Sequence, residues 1–255
     1  MLELYQVRKH FGGLRAVDDV SFTVDAGCIK GVIGPNGAGK STLFNLIACN
    51  IPLSSGTIRF DNREIQRLKP YQTAELGFAR TFQNIKLFAD MSVLECVMVG
   101  AHSKGRAGFL AGMLPLPQHR REEAAIRRKS MECLEFLGIA DLAESPAEAL
   151  AFGQQRAVEL ARALAAEPRL LLLDEPAAGL NIYETAELGR LIKTIREQGV
   201  TVLLVEHDMS LVMDICDEIV VLSSGRKLAE DIPSRIQHNA EVIAIYLGED
   251  YEPAR

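Results

Sequence analysis

Gly34-Pro35-Asn36-Gly37-Ala38-Gly39-Lys40-Ser41-Thr42 places phosphate-gripping residues at the spacing G-x-x-x-x-G-K-S/T. The glycines let backbone N–H groups turn toward phosphate oxygens, and a helix opening behind them adds the partial positive charge of its N-terminus. In such a loop Lys40 reaches the β- and γ-phosphates of a nucleotide and the Ser41 hydroxyl binds Mg2+. A second set stands far along the chain, Leu170-Leu171-Leu172-Leu173-Asp174-Glu175-Pro176. Its apolar run predicts a buried strand, and Asp174 at the strand end holds Mg2+ through water. Glu175, directed the other way, has the chemistry of a general base that polarises an attacking water. Together the two segments point to binding and hydrolysis of a nucleoside triphosphate.

The surrounding elements must hold those residues in place. The glycine loop follows an apolar strand at Ile29 to Ile33 and opens a helix, Ser41 to about Cys49, with Leu43, Phe44, Leu46 and Ile47 on its apolar side. Short β-rich runs at Leu2 to Val7 and Val20 to Val24 precede it, with turns at Gly12-Gly13 and Ala26-Gly27, and Ile58 to Phe60 returns as a strand. From about Ser92 to Gly138 the pattern is mainly helical, with a connection at Gly100 to Gly112 and a break at Pro115-Leu116-Pro117. Helices are then predicted at Gln154 to Ala166, Glu184 to Glu197 and around Glu241 to Leu247. Strands are predicted at Leu170 to Leu173, Val200 to Val205, Ile219 to Leu222 and Lys227 to Ala229. In the Glu184 helix, Leu188, Leu191, Ile192 and Ile195 follow the spacing of a core-facing stripe. The flanking apolar strands read as buried on both faces, as in a parallel sheet with helical crossovers. The expected organisation is a single α/β domain over 1–255. Its core is about 1–83 and 161–255, with an N-terminal antiparallel β subdomain and an inserted helical lobe at about 84–160.

Composition narrows the class. The chain has 255 residues, 48% hydrophobic and 24% charged, enough for a sizeable core. A formal net charge of -6 argues against a nucleic-acid partner held by phosphate neutralisation. The basic run His119 to Lys129 alternates with glutamates and reads as a solvated helix face. Five scattered cysteines form no CxxC pair and read as reduced thiols rather than a zinc site or disulfide framework. The start Met1-Leu2-Glu3-Leu4-Tyr5 lacks the pattern of a signal peptide, and no apolar run reaches the ~18–20 residues that span a bilayer. Any membrane role is expected to pass through a partner.

The order of GPNGAGKST, Gln83, the segment Leu150-Ala151-Phe152-Gly153-Gln154-Gln155-Arg156, LLLLDEP and Glu206-His207-Asp208 resembles the ATP-binding subunit of an ABC transporter over essentially the whole chain. The resemblance implies a P-loop NTPase fold of the ABC ATPase type, with ATP and Mg2+ bound. It gives Gln83 a contact to Mg2+ and the attacking water, and His207 a contact to the γ-phosphate. It implies adenine stacking on Phe11, with Tyr5 as the alternative. It also implies that Ala151, Phe152, Gly153 and Gln154 of one subunit, opening a helix, close on nucleotide held by another, so that two ATPs are sandwiched. Ala151 and Phe152 replace the Ser-Gly of the usual Leu-Ser-Gly-Gly-Gln, which removes a hydroxyl contact to the γ-phosphate. Asn181 likewise stands where the family commonly has Asp.

Phe11 to Val17, Arg80 to Gln83, Leu87-Phe88, Gly153 to Arg156, Glu175 to Asn181, Glu206 to Met209 and Tyr246-Leu247-Gly248 resemble one branch, the LivG-type ATPase of branched-chain amino acid importers. That implies integral membrane permease subunits as partners and a second ABC ATPase or an identical copy in the dimer. It implies, indirectly, a periplasmic or extracellular substrate-binding protein, and a peripheral place on the cytoplasmic face of the membrane. The segment from about His102 to His119 is expected near the surface facing the permeases, and Gln83 to Glu95 to transmit motion. The competing readings are a soluble ABC ATPase acting on DNA or in translation, an ATPase of lipopolysaccharide-export type, and a regulatory module without turnover.

Overall fold

The computed structural model describes residues 1–81, 87–88, 90–101 and 117–247. The chain divides into two compact units, Met1–Thr73 with Leu170–Arg255, and Ala74–Arg169. In chain order the elements are β1 (Leu2–Phe11), β2 (Leu14–Val24), β3 (Ile29–Ile33), α1 (Lys40–Ile47), β4 (Ser55–Phe60), β5 (Arg63–Glu64), α2 (Pro70–Glu75), β6 (Phe78–Arg80), α3 (Val93–Ala101) and α4 (Pro117–Phe136). They continue with α5 (Phe152–Ala165), β7 (Leu170–Asp174), α6 (Ile182–Glu197), β8 (Thr201–Val205), α7 (Met209–Ile215), β9 (Glu218–Ser223), β10 (Arg226–Asp231), α8 (Pro233–Ile236) and α9 (Ala240–Leu247).

The first unit holds two sheets. In one, β2, β1, β4 and β5 run in that order with antiparallel pairing, and Leu2 sits opposite both Val24 and Phe60. Gly12-Gly13 form its first turn, and the strands on either side reach further than the apolar runs predict, to Phe11 and from Leu14. Backbone pairing continues past the buried positions, so the polar end of the hairpin carries no hydrophobic signal. In the other sheet the order within this unit is β10, β9, β3, β8, β7, parallel except for the β9–β10 hairpin. Every residue of β3, β7 and β8 is buried, as strands covered on both faces require. The result is the expected α/β class with a separate antiparallel sheet.

Lys30 is the exception in composition, a cation in the middle of β3 with 1% exposure. It is tolerated because its ammonium donates to Glu230 at 2.6 Å and to the Thr23 carbonyl at 2.5 Å, with Glu218 at 2.8 Å. Helix α6 also departs from expectation: its buried positions are Thr185, Gly189, Ile192 and Ile195, while Leu188 and Leu191 are only half-buried. Gly189 turns the helix that way, since a Cβ there would stand 3.0 Å from the Leu211 side chain of α7. Lacking that carbon, α6 brings its glycine face closest to its neighbour. Helices α2, α7 and α8 and strands β5 and β6 are additional to the predicted elements.

In the second unit α5 packs against both α3 and α4. Gly100 of α3 makes the first contact close, because a Cβ there would overlap the Arg162 carbonyl of α5. Helix α3 opens on a capping box, with Ser92 N–H donating to Glu95 at 2.8 Å and Glu95 N–H to the Ser92 hydroxyl at 3.3 Å. Helix α4 opens at Pro117, whose missing N–H costs nothing in the first turn. Residues 115 and 116 of the expected break, and most of the segment from His102 to His119, lie outside the described residues. Among the described residues no helix is long and apolar enough to cross a membrane.

Candidate active site

The glycine loop joins β3 to α1. Gly34, Gly37 and Gly39 have φ of 150°, 80° and 100°, a region that L-residues with side chains rarely occupy. Two of the three are also fixed by contact: a Cβ on Gly34 would overlap the Leu222 carbonyl, and one on Gly39 the Ala16 carbonyl. Gly37 has nothing within 4 Å on that side, so its need is conformational and the space before it is open. The loop is clamped from behind by Gly225, which donates to the Ala38 carbonyl at 3.0 Å and accepts from Asp18 N–H at 2.7 Å. Within the loop, Ala38 N–H donates to the Pro35 carbonyl at 3.1 Å. Asn36, Gly37 and Ser41 are exposed, and Thr42 is half-buried. Helix α1 starts without a side-chain cap and with no acidic residue in its first turn, which leaves its N–H groups to an anion.

Lys40 is buried, and its ammonium donates to the carbonyls of Gly34 at 2.6 Å and Pro35 at 3.1 Å. Burial pushes its pKa below the ordinary lysine value, and the Glu175 charge acts in the opposite direction. Asp174 ends β7 opposite Val205 of β8 and is 5% exposed. At Glu175 the chain leaves the sheet: φ is 48°, its N–H donates to the Val205 carbonyl at 2.9 Å, and its carbonyl accepts from Ala178 N–H at 3.1 Å. A non-glycine residue there costs ~1–3 kcal/mol, which the surrounding structure must hold in place. His207 follows β8 and is largely exposed, with Nδ1 3.6 Å from a Glu206 carboxylate oxygen. The hydroxyl of Ser41 and the carboxylate of Asp174 are hard oxygen donors of the kind that suits Mg2+ arriving on phosphates, where the ion keeps several waters.

Phe11 ends β1 at the hairpin and is 48% exposed, with the Lys9 ammonium 4.8 Å from its ring centre. The hairpin end is the part of that sheet nearest the glycine loop, since Ala16 of β2 backs Gly39. Tyr5 is 64% exposed, but it stands about 20 Å further along the strand at the usual rise per residue. Gln83 lies outside the described residues.

The segment Leu150 to Arg156 belongs to the second unit. Helix α5 begins at Phe152 with Ala151 as its N-cap. Alanine has no acceptor, so only half a capping box remains: Ala151 N–H donates to the Gln154 side chain at 3.1 Å. Gln155 ties down the approach, donating to the carbonyls of Leu150 at 3.0 Å and Glu148 at 3.4 Å. Phe152 is 47% exposed, and the Arg156 guanidinium lies 5.5 Å from its ring centre. Gly153 and Gln154 complete the first turn.

Sequence reasoning missed two residues of the first unit. Gly225, at a φ of 79° between β9 and β10, carries no motif that would tie it to the loop. Glu206 stands in the sequence as the first residue of Glu206-His207-Asp208 with no chemistry of its own, yet it is wholly buried and accepts from three backbone N–H groups. Its signal was a carboxylate standing directly after a strand in which every residue is apolar or threonine.

The family model described as ABC transporter matches residues 17–178, and that of branched-chain amino acid ATP-binding cassette transporters matches residues 226–252. The chain is 44% identical to the high-affinity branched-chain amino acid transport ATP-binding protein BraF of Pseudomonas aeruginosa, over 98% of each chain. It is 40% identical to LivG of Escherichia coli, again over 98% of each. Among solved structures, a nucleotide-free ATP-binding cassette from an ABC transporter superposes with a TM-score of 0.85 at 30% identity, covering 97% of this chain and 99% of that one. A dimeric cassette in a post-hydrolysis state bound to ADP and Pi superposes with a TM-score of 0.77 at 26% identity, covering 91% and 99%. With a phosphate loop, an acidic strand end and a histidine turn carried on that fold, the chain belongs to the ABC transporter family, as one of its ATP-binding, ATP-hydrolysing proteins.

Proposed function

We propose that this chain is the ATPase that powers import of branched-chain amino acids through separate integral membrane permeases. The observation that carries the reading is the 44% identity to BraF along 98% of both chains. The backbone N–H groups of Gly34 to Thr42 and the Lys40 ammonium hold the phosphates, and Phe11 stacks on the adenine. Ser41 and Asp174, with Gln83, hold Mg2+, which when bound neutralises the phosphate charge. Glu175 accepts a proton from the water whose oxygen bonds to the γ-phosphorus as the bond to the leaving ADP oxygen breaks. His207 holds the γ-phosphate.

Ala151 to Gln154 of a second subunit close on this nucleotide from the other side. The second subunit is a related ATPase in the cell, with a copy of this chain able to take its place in isolation. A substrate-binding protein outside the membrane delivers the amino acid, and this chain sits on the cytoplasmic face. The test is co-purification followed by reconstitution of the captured membrane subunits in liposomes, with ATP inside this chain's compartment and labelled leucine, isoleucine or valine outside. ATP-dependent uptake of these amino acids is the expected result. Capture of ribosomes or DNA, or complexes that move no amino acid, overturns the proposal.

A further inference from the structure

We propose that Glu206 is a positioning residue that sets the general base and the γ-phosphate histidine in one rigid arrangement, an inference that rests on the roles given above to Glu175 and His207. Its side chain is 0% exposed, and a carboxylate is costly to bury unless its oxygens are fully used. Here they are. One oxygen accepts from Ala177 N–H at 2.7 Å, two residues beyond Glu175, and the other accepts from His207 N–H at 2.8 Å and Asp208 N–H at 3.2 Å. A single planar group thereby spans the turn after β7 and the turn after β8.

Both turns need such a tie. The first holds Glu175 at a φ of 48°, a conformation that persists only where neighbouring bonds enforce it. The second leaves the His207 side chain 62% exposed, so that its backbone is the only part Glu206 grips within hydrogen-bond distance. The main-chain bond from Glu175 N–H to the Val205 carbonyl, at 2.9 Å, lies beside the carboxylate and links the same two strands. With hydrogen bonds to charged groups shorter and stronger than neutral ones, the carboxylate is the stiffest part of this bridge. Glutamine cannot replace it: its one carbonyl oxygen satisfies one turn, and its NH2 faces the N–H groups of the other.

The experiment measures ATP affinity and hydrolysis of the full chain with Glu206→Gln, alone and combined with His207→Ala. The expected result is ATP affinity within about twofold of wild type and kcat lowered about tenfold or more, since small displacements of reacting groups cost rate far more than binding. In the His207→Ala background the same change is expected to lower the residual kcat clearly less, because part of what Glu206 positions is already gone. Glu206→Asp keeps the charge and both acceptors but withdraws them by one methylene, and is expected to fall between wild type and glutamine. It also serves if the glutamine variant does not fold. An unchanged kcat, a loss of affinity equal to the loss of rate, or the same factor in both histidine backgrounds overturns the proposal. Glu175→Gln and His207→Ala measured singly separate the two levels: full hydrolysis by both would remove the roles on which this one depends, whatever Glu206 does.

Discussion

Burial pushes the pKa of Lys40 down, and the charge of Glu175 acts to restore it. That pairing separates what each should do when removed. Lys40 is held by two loop carbonyls, and with the phosphate-holding role proposed for its ammonium, Lys40→Ala is expected to abolish measurable nucleotide binding. Glu175 stands directly after the end of β7, where the proposed function gives it the part of proton acceptor. Glu175→Gln is therefore expected to bind ATP as wild type does while kcat drops about 100-fold to 10,000-fold, the usual range for loss of a general base. Equilibrium binding and phosphate release measured on the same preparations check both expectations, and hydrolysis at the wild-type rate by the glutamine variant would remove Glu175 as the base.

The elements carrying these residues were legible to different degrees. The loop glycines announced both their strand and their helix, because φ values of 80° to 150° leave few other residues possible. The buried parallel strands were equally plain. Helix α7 was not: its seven residues carry no long periodic pattern, and its cap, Asp208, is masked in the sequence by the neighbouring His207. Asp208 accepts from Ser210 and Leu211 N–H at 2.9 and 3.1 Å, and the Ser210 hydroxyl leads in holding its carboxyl below the usual range. Asn181 supplies the cap of α6. Its side chain accepts from Tyr183 and Glu184 N–H at 2.9 and 3.1 Å, and its own N–H donates to Glu184 at 2.9 Å, a complete capping box at the start of α6. The amide does this without charge. Asn181→Ala is expected to lower stability by about 1 kcal/mol with ATP affinity unchanged, and Asn181→Asp to restore it. Thermal unfolding of the three chains tests this; an alanine variant as stable as wild type would show that the box contributes nothing.

At the scale of the whole molecule, the first unit is held together by polar ties between its two sheets as well as by its apolar core. Asp18 of β2 binds Arg226 of β10 at 2.7 Å, and that hydrogen bond leads in holding the aspartate below its ordinary range. Further along, α9 brings the Tyr246 hydroxyl to the backbone of Gly34, with burial pushing its pKa up to about 12. Lys30 makes the most buried tie, joining β3 to Thr23 on β2, Glu218 on β9 and Glu230 on β10. Burial alone would lower its pKa, but hydrogen bonds to Glu218 and Glu230 outweigh that and raise it above 10.5. For Glu230 burial alone would raise the value, and hydrogen bonds from Lys227 and Lys30 outweigh it and bring it below 4.5. The signs then fix a window. The lysine's contribution is complete below pH 10.5 and is lost as pH rises through its folded value. The glutamate's is complete above pH 4.5 and is lost as pH falls through its folded value. Lys30→Met keeps the length and apolar volume of the stem while removing the charge, so it is expected to lower stability near neutral pH by about 2 kcal/mol, the scale of hydrogen bonds to charged groups. It should also change the shape of the pH profile unequally. The part of the alkaline loss that belongs to Lys30 should disappear, whereas the acid loss should shrink but persist, because Lys227 still donates to Glu230 at 2.7 Å. Urea denaturation of both chains across the pH range decides it: parallel profiles, offset by a constant, would mean that Lys30 acts through packing and not through its charge.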